Sequence, residues 1–132
     1  MSEVFKGRDA FIGVSKAGLV TSDMVESMNP KAIVFAMANP VPEIMPSLAI
    51  KAGAAIVGTG RSDFPNQINN ALVFPGIFRG LLDGKNKKVT DKIKIKAAEA
   101  IARSVKPRKD KILPLLLEKK TTPAISRVIK NN

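Results

Sequence analysis

Residues 59–80 read TGRSDFPNQINNALVFPGIFRG and form the least ordinary stretch of the chain. The stretch follows a short apolar run, turns on glycines and then presents Asn66, Asn69 and Asn70 at the predicted opening of a helix. Asparagine is only a middling helix former. At a helix N-terminus, however, its amide joins the free backbone N–H groups and the positive end of the helix dipole in holding an anion. Capping needs one such residue, so three asparagines favour a ligand.

Working outward, apolar runs at 9–14, 32–37 and 54–58 predict three strands. Helices are predicted at 21–28, at 42–53, from Pro65 with a break at Pro75 and Gly76, at 90–105 and at 122–129. The alternation of strands and helices predicts an α/β fold, a partial doubly wound parallel sheet of about three strands with flanking helices and a C-terminal helical segment. We expect one sheet domain at 1–106 and a helical extension at 107–132 that packs on it.

The composition narrows the class of protein. With 132 residues, 45% of them hydrophobic and 25% charged, the chain suits one soluble globular domain. No apolar run approaches the ~20 residues that span a bilayer, and the N-terminus lacks the apolar core of a secretory signal. We therefore expect a cytoplasmic protein without a membrane partner.

Several residue types are missing altogether. The chain has no Cys, no His and no Tyr. Disulfides, thiolate catalysis and cysteine metal sites are thereby excluded, and the commonest neutral-pH proton shuttles are absent. The chain is therefore poorly equipped for acid–base chemistry by itself.

The net charge of +11 is concentrated in the last third, where residues 85–132 hold fifteen Lys or Arg against four Asp or Glu. Such a flank could bind a polyanion, or it could be a solvated helical face. No aromatic residue follows Phe78 to stack on bases, and no nucleic-acid motif is present. We favour the solvated face and expect no nucleic-acid partner.

Ligands of open parallel sheets bind beyond the carboxyl ends of the strands. The unusual motifs of this chain follow the three predicted strands in turn: Gly13-Val14-Ser15, then Asn39-Pro40, then residues 60–63 with the asparagine cluster. Their common position at strand ends predicts one binding site.

Two neighbouring features have simpler interpretations. Arg61 and Asp63 are expected to form an ion pair that stiffens their loop. Phe64, Phe74 and Phe78 have apolar neighbours and are expected in the core, although Phe78 could also serve an interface.

The chain resembles the malic enzymes, the divalent-metal-dependent oxidative decarboxylases of malate, in their short bacterial and archaeal form. The resemblance covers residues 9–101, about two thirds of the chain, and matches the second half of the Rossmann-like NAD(P)-binding domain. The runs that carry it are FIGVS, FAMANPVPEI, GTGRSDFPNQINN and FPGIFRG. Their length and order make a chance match far less credible than for a lone short motif.

The resemblance implies contacts with NAD or NADP and with malate. Val14 and Ser15 would lie along the nicotinamide and its ribose. The cofactor-binding residues that it implies are Gly13, Val14, Ser15, Asn39 and Asn69. The malate-binding residues that it implies are Asn39, Asn69 and Asn70. Amides suit these positions because they fix carboxylates and hydroxyls without titrating.

Other parts of the family pattern have no counterpart here. The glycine-rich dinucleotide fingerprint, the metal-binding acids and the proton-transferring Tyr and Lys precede this segment in a complete enzyme. The resemblance thus implies that this chain holds no catalytic residue and no metal ligand and is inactive alone. It also implies that Mg or Mn acts only in the complete enzyme, and a separately encoded N-terminal half is a possible partner. The choice between NAD and NADP stays open.

An uncovered sheet edge and exposed apolar surface argue for a homo-oligomer. The alternatives are a non-catalytic interaction module that binds a protein or a polyanion through the sheet edge and the basic flank, and an inactive remnant.

Overall fold

A computed structural model of the chain describes residues 2–85, 88–116 and 118–131. The strands are β1 (Ala10–Gly13), β2 (Ile33–Ala36) and β3 (Ile56–Thr59). The helices are α1 (Ser2–Phe5), α2 (Ser22–Glu26), α3 (Pro46–Lys51), α4 (Phe74–Asp83), α5 (Asp91–Arg103) and α6 (Thr121–Lys130), and a 3-10 turn spans Asn70–Leu72. No helix among the described residues has the length and hydropathy needed to cross a bilayer.

The three strands form one parallel sheet in the order β1-β2-β3. Register partners Phe11, Val34 and Val57 share one face and pack into a core that α2 and α3 help to fill. On the other face Ile12 is 67% exposed, so the sheet is not covered on both sides at β1. The predicted fold class, a parallel α/β sheet flanked by helices, is confirmed.

The residues divide into two compact units. Unit 1 comprises 1–68 and 109–111 and holds the sheet, whereas unit 2 comprises 69–108 and 112–132 and holds α4, α5 and α6. The domain division at residue 106 does not coincide with these units, and it stays a prediction.

The second helix begins later than predicted. Pro42 and Glu43 do not open it, because their carbonyls accept hydrogen bonds from Gly18 and Val20 in a bent loop, and α3 begins at Pro46. This loop directs the Glu43 side chain inward, where it is fully buried.

The stretch that was expected to form a helix from Pro65 is irregular until residue 70. Asn66 has a positive φ of 58°, which no right-handed helix accommodates. Pro75 does not break a helix either, because it lies in the first turn of α4, where its missing N–H costs no hydrogen bond. Both expectations about these prolines were wrong.

In unit 2, α4 packs against α6 through glycines. A Cβ at Gly76 would lie 2.5 Å from the Cβ of Ile125, and one at Gly80 would lie 2.7 Å from the Cβ of Ile129. The opposite side of α4 is open to solvent, with Phe74 45% and Phe78 57% exposed. The expectation that these two rings lie in the core was therefore wrong.

The helix predicted at 90–105 is present as α5. Thr90 caps it, its hydroxyl accepting a hydrogen bond from the N–H of Ile93 at 3.3 Å. Ile93 and Ala97 face the core of unit 2, as their spacing predicts.

Candidate functional site

The site in unit 1 is built at the carboxyl edge of the sheet. Because β1 and β2 are parallel neighbours, the segments that follow Gly13 and Ala36 leave the sheet on the same side. Met37 continues the pairing by donating its N–H to the carbonyl of Gly13 at 3.0 Å. The loops that carry Ser15 and Asn39 are therefore adjacent.

Glu43 joins these two loops. One carboxylate oxygen, Oε1, accepts hydrogen bonds from the N–H of Ser15 at 2.7 Å and from its hydroxyl at 3.1 Å. The other oxygen, Oε2, accepts from the N–H of Ala38 at 2.9 Å. The side chain thus spans from the end of β1 to the end of β2 while remaining 0% exposed. Sequence reasoning missed this residue, although an acid between Pro42 and Ile44 in an apolar loop is a signal of burial.

The carboxylate of Glu43 stays ionised. Burial raises its pKa, but the hydrogen bonds from Ser15 and Ala38 outweigh the burial and hold the pKa below its usual value. Among the described residues no cationic side chain forms an ion pair with it. Its charge is therefore balanced by main-chain and hydroxyl donors.

Gly13 has a packing role beside this carboxylate. A Cβ at this position would lie 2.6 Å from Oε1 of Glu43 and 2.7 Å from the ring of Phe11. Any larger residue at this position would therefore have to displace the Glu43 carboxylate or the Phe11 ring. Contact between Gly13 and a cofactor stays a prediction.

Two of the predicted contact residues present their side chains to solvent at this edge. Val14 is 80% exposed, an unusual fraction for an apolar residue at a strand end. Asn39 is exposed and precedes a cis peptide bond to Pro40. An apolar surface beside an exposed carboxamide and a hydroxyl suits a flat, partly polar ligand.

The loop after β3 is attached to the loop after β2. Arg61 donates to the carbonyl of Pro40 at 2.9 Å and forms a two-pronged ion pair with Asp63, whose shorter contact is 2.7 Å. The guanidinium also lies 5.3 Å from the ring centre of Phe64. The predicted ion pair is confirmed. Arg61 thereby ties Pro40, next to Asn39, to the end of β3.

Asn66 has a structural task. Its amide donates to the carbonyls of Val57 at 2.9 Å and Lys109 at 2.8 Å, and the residue is buried. It therefore does not open a helix toward a ligand, and Asn69 and Asn70 remain as the asparagines expected to contact one.

Asn69 and Asn70 belong to unit 2. The carboxamide of Asn69 accepts a hydrogen bond from the N–H of Ala71 at 2.9 Å and so caps the 3-10 turn. The Asn70 side chain is exposed. Ser15 and Asn39 lie in unit 1, and the convergence of all four residues on one pocket stays a prediction.

The described residues do not fit a metal ion on their own. Within 2–85, 88–116 and 118–131 no three acidic side chains cluster in a way that could hold a cation. The donors at the carboxyl edge are amides, hydroxyls and main-chain groups, which suit an organic ligand better.

A parallel sheet with helical crossovers and polar loops at its carboxyl edge is typical of the Rossmann-like folds that bind nucleotides. Within that class, residues 6–130 match the family described as malic enzyme, NAD binding domain. The chain therefore belongs to the malic enzyme family and forms part of its NAD-binding domain.

Curated relatives agree with this assignment. The chain is 50% identical to the bifunctional malic/malolactic enzyme of Bacillus subtilis, over 98% of its own length and 32% of the relative's. It is 52% identical to the NAD-dependent malic enzyme of Geobacillus stearothermophilus, over 77% of its own length and 21% of the relative's. An NADP-dependent malic enzyme of Rhizobium meliloti is 51% identical, over 80% of this chain and 14% of the relative. The chain thus spans a third or less of these proteins.

The solved structures support the fold. The malic enzyme from Pyrococcus horikoshii superposes with a TM-score of 0.95 at 47% identity, covering 98% of this chain and 31% of that one. The NAD-dependent malic enzyme from Thermotoga maritima gives a TM-score of 0.94 at 43% identity, covering 98% of this chain and 34% of that one. The resemblance stated from the sequence is confirmed.

Proposed function

We propose that this chain forms the nicotinamide and malate end of the pocket in an NAD- or NADP-dependent malic enzyme. The observation that carries the proposal is the joint anchoring of Ser15 and Ala38, next to Asn39, on Glu43 at the carboxyl edge of the sheet. A bound nicotinamide would accept hydride from malate. The chain's own residues would bind and orient: Val14 against the ring, the Ser15 hydroxyl and the Asn39 amide toward polar groups.

Asn69 and Asn70 are proposed to complete this pocket. Asn70 has the more exposed carboxamide, whereas the oxygen of Asn69 is engaged with the N–H of Ala71. The amide nitrogen of Asn69 can still donate to a carboxylate or a ribose hydroxyl. Neither residue transfers protons.

We further propose that this chain turns over no malate by itself. Its exposed groups at the carboxyl edge position ligands, and we assign it no metal ligand. Mg or Mn is proposed only for the complete enzyme, and a cytoplasmic location remains an expectation.

The free side of β1 suits the proposed N-terminal partner. β1 pairs with β2 alone among the described strands, and a hollow of about 360 Å³ beside it is lined mainly by apolar residues. Together with exposed Ile12, this surface could receive a further parallel strand and its helix.

The binding test is an NMR titration of the isotope-labelled chain with NAD, NADP, malate and heparin, the last as a polyanion control. We expect a dinucleotide to shift the amide signals of Ser15 and Asn39, and Asn39→Ala to weaken the binding. Glu26→Gln, on an exposed position of α2, is the matched control and should change nothing. Shifts with heparin alone would overturn the proposal.

The activity test replaces the matching third of the Bacillus subtilis relative with this chain. We expect the chimera to oxidise malate with NAD or NADP, and Asn70→Ala to reduce that activity. A well-folded chimera that binds the cofactor without turnover would contradict the proposed malate contacts.

A further inference from the structure

The carboxylate of Glu43 forms hydrogen bonds to both of the loops that are proposed to hold the nicotinamide end of the cofactor. It reaches Ser15 with one oxygen and Ala38 with the other. Its main chain is anchored as well, since the carbonyl of Glu43 accepts from Val20 at 3.0 Å. A shift of this side chain would therefore move both loops together.

Three hydrogen-bond donors converge on the two oxygens of the Glu43 side chain, so both of these atoms must be acceptors. A carboxylate meets this requirement, because both oxygens accept and the bonds are charge-assisted. A glutamine of the same shape has one oxygen and one NH₂ group. Whichever way it turns, its NH₂ faces either the N–H of Ser15 or the N–H of Ala38, and one loop loses its anchor.

The residue packed against the Glu43 carboxylate is a glycine, which leaves space for it. Gly13 leaves room beneath Oε1, where a Cβ would lie 2.6 Å away. Glu43 is fully buried, so it does not itself contact a ligand at the edge. Its effect on a ligand must pass through Ser15 and the residues that follow Ala38.

We propose that Glu43 is a positioning residue of the dinucleotide site, holding Ser15 and the turn at Ala38–Asn39 in the arrangement that binds the nicotinamide end of the cofactor. The inference rests on the proposed function, because it presupposes that these loops bind a dinucleotide. It differs from a purely structural role in one measurable respect. A structural acid affects stability alone, whereas a positioning acid affects affinity in protein that remains folded.

The test compares Glu43→Gln with Val34→Ala, which opens a cavity in the core of unit 1 at a position within β2, outside both loops. Val34 is fully buried in β2. The dissociation constants of NAD and NADP are measured by NMR titration at a temperature where both variants and the wild-type chain are folded. We expect Glu43→Gln to raise the constant about tenfold, the value of one lost charge-assisted hydrogen bond, and Val34→Ala to change it less than about twofold.

Glu43→Asp serves as the second variant, because it keeps the charge but is too short to reach both loops. It should weaken binding to a similar degree, and the amide signals of Ser15 and Ala38 should shift in both variants. Unchanged affinity in a folded Glu43→Gln chain would refute the positioning role and leave the proposed function intact. A wild-type chain that binds neither dinucleotide, both alone and within the Bacillus subtilis chimera, would refute the proposed function and the positioning role with it. Loss of the fold in both Glu43 variants would show a structural residue and also overturn the inference.

Discussion

Replacing Gly76 with alanine should separate α4 from α6. The new Cβ would lie 2.5 Å from the Cβ of Ile125 and 2.8 Å from its Cγ2, both far inside van der Waals contact. The Cβ of Ile125 is fixed to the backbone of α6 and cannot rotate away. The added methyl group must therefore push the two helices apart.

The magnitude follows from two opposing terms. Overpacking a tight core costs about 1–3 kcal/mol and occasionally more, while replacing glycine by alanine within a helix returns about 1 kcal/mol. Because the neighbouring atom cannot yield, we take the upper end of the first range. Gly76→Ala should therefore lower the free energy of unfolding by about 2 kcal/mol.

Urea unfolding followed by far-UV circular dichroism measures this loss. With a slope of about 1–3 kcal/mol per molar urea, the midpoint should fall by about 1 M. Ala98→Gly, at an exposed position of α5, is the control that measures the helix-propensity term by itself.

A second substitution separates steric strain from other causes. Ile125→Ala removes Cγ2 and Cδ1, two of the three atoms nearest to the new methyl group. The double variant should therefore be more stable than the sum of the two single losses predicts, by about 1 kcal/mol of coupling. Stabilisation by Gly76→Ala, the sign that helix propensity alone gives, would refute the close approach of α4 and α6.

Three further predictions concern a buried acid, a buried amide and an exposed ring. The folded-state pKa of Glu43 lies below its usual value, so the stability that its ionisation contributes is present above the unfolded pKa of about 4.3 and lost as pH falls through the folded pKa. Between about pH 5 and pH 3 the wild-type chain should lose stability more steeply than Glu43→Gln, and parallel pH profiles would contradict this. Asn66→Ala removes the amide that donates to the carbonyls of Val57 and Lys109, and it should lower the free energy of unfolding, measured in urea, by about 2 kcal/mol. A variant as stable as the wild-type chain but with weaker dinucleotide binding would instead favour a ligand contact for Asn66. Phe78→Ser on the open side of α4 should reduce self-association in sedimentation velocity, and a wild-type chain that is monomeric at every concentration would rule this out.

The sequence predicted the regular elements where a single local signal decides them. The apolar runs before Ser15, Asn39 and Gly60 appear as neighbouring parallel strands, because such runs have few ways to bury themselves other than side by side. The helix at α5 was equally predictable, since Thr90 caps it and its apolar residues recur at helical spacing.

The errors arose where a distant partner overrides a local preference. Pro65 is a common first residue of a helix, but the buried amide of Asn66 bonds to Lys109, which is remote in sequence, and its positive φ prevents a helix. The rings of Phe74 and Phe78 were assigned to the core for their apolar neighbours. It is the glycines of α4 that face α6, because only they allow so close an approach.

In the candidate site, too, residues with a local sequence signal were predicted, whereas a residue whose role depends on partners distant in sequence was missed. Ser15 and Asn39 were predicted as ligand contacts because they follow strands, and the structure places both on exposed loops at the carboxyl edge of the sheet, while their contact with a ligand stays a prediction. Glu43 was not recognisable as their support, because its charge is balanced by main-chain N–H groups and a sequence carries no record of which N–H groups are unpaired. Glu43 lies only a few residues after the second strand and is flanked by Pro42 and Ile44. Exposing this loop to solvent would expose these apolar neighbours as well, which is unfavourable. An acidic residue in such an apolar loop is therefore better interpreted as a buried hydrogen-bond acceptor for the N–H groups at neighbouring strand ends than as the first residue of the next helix.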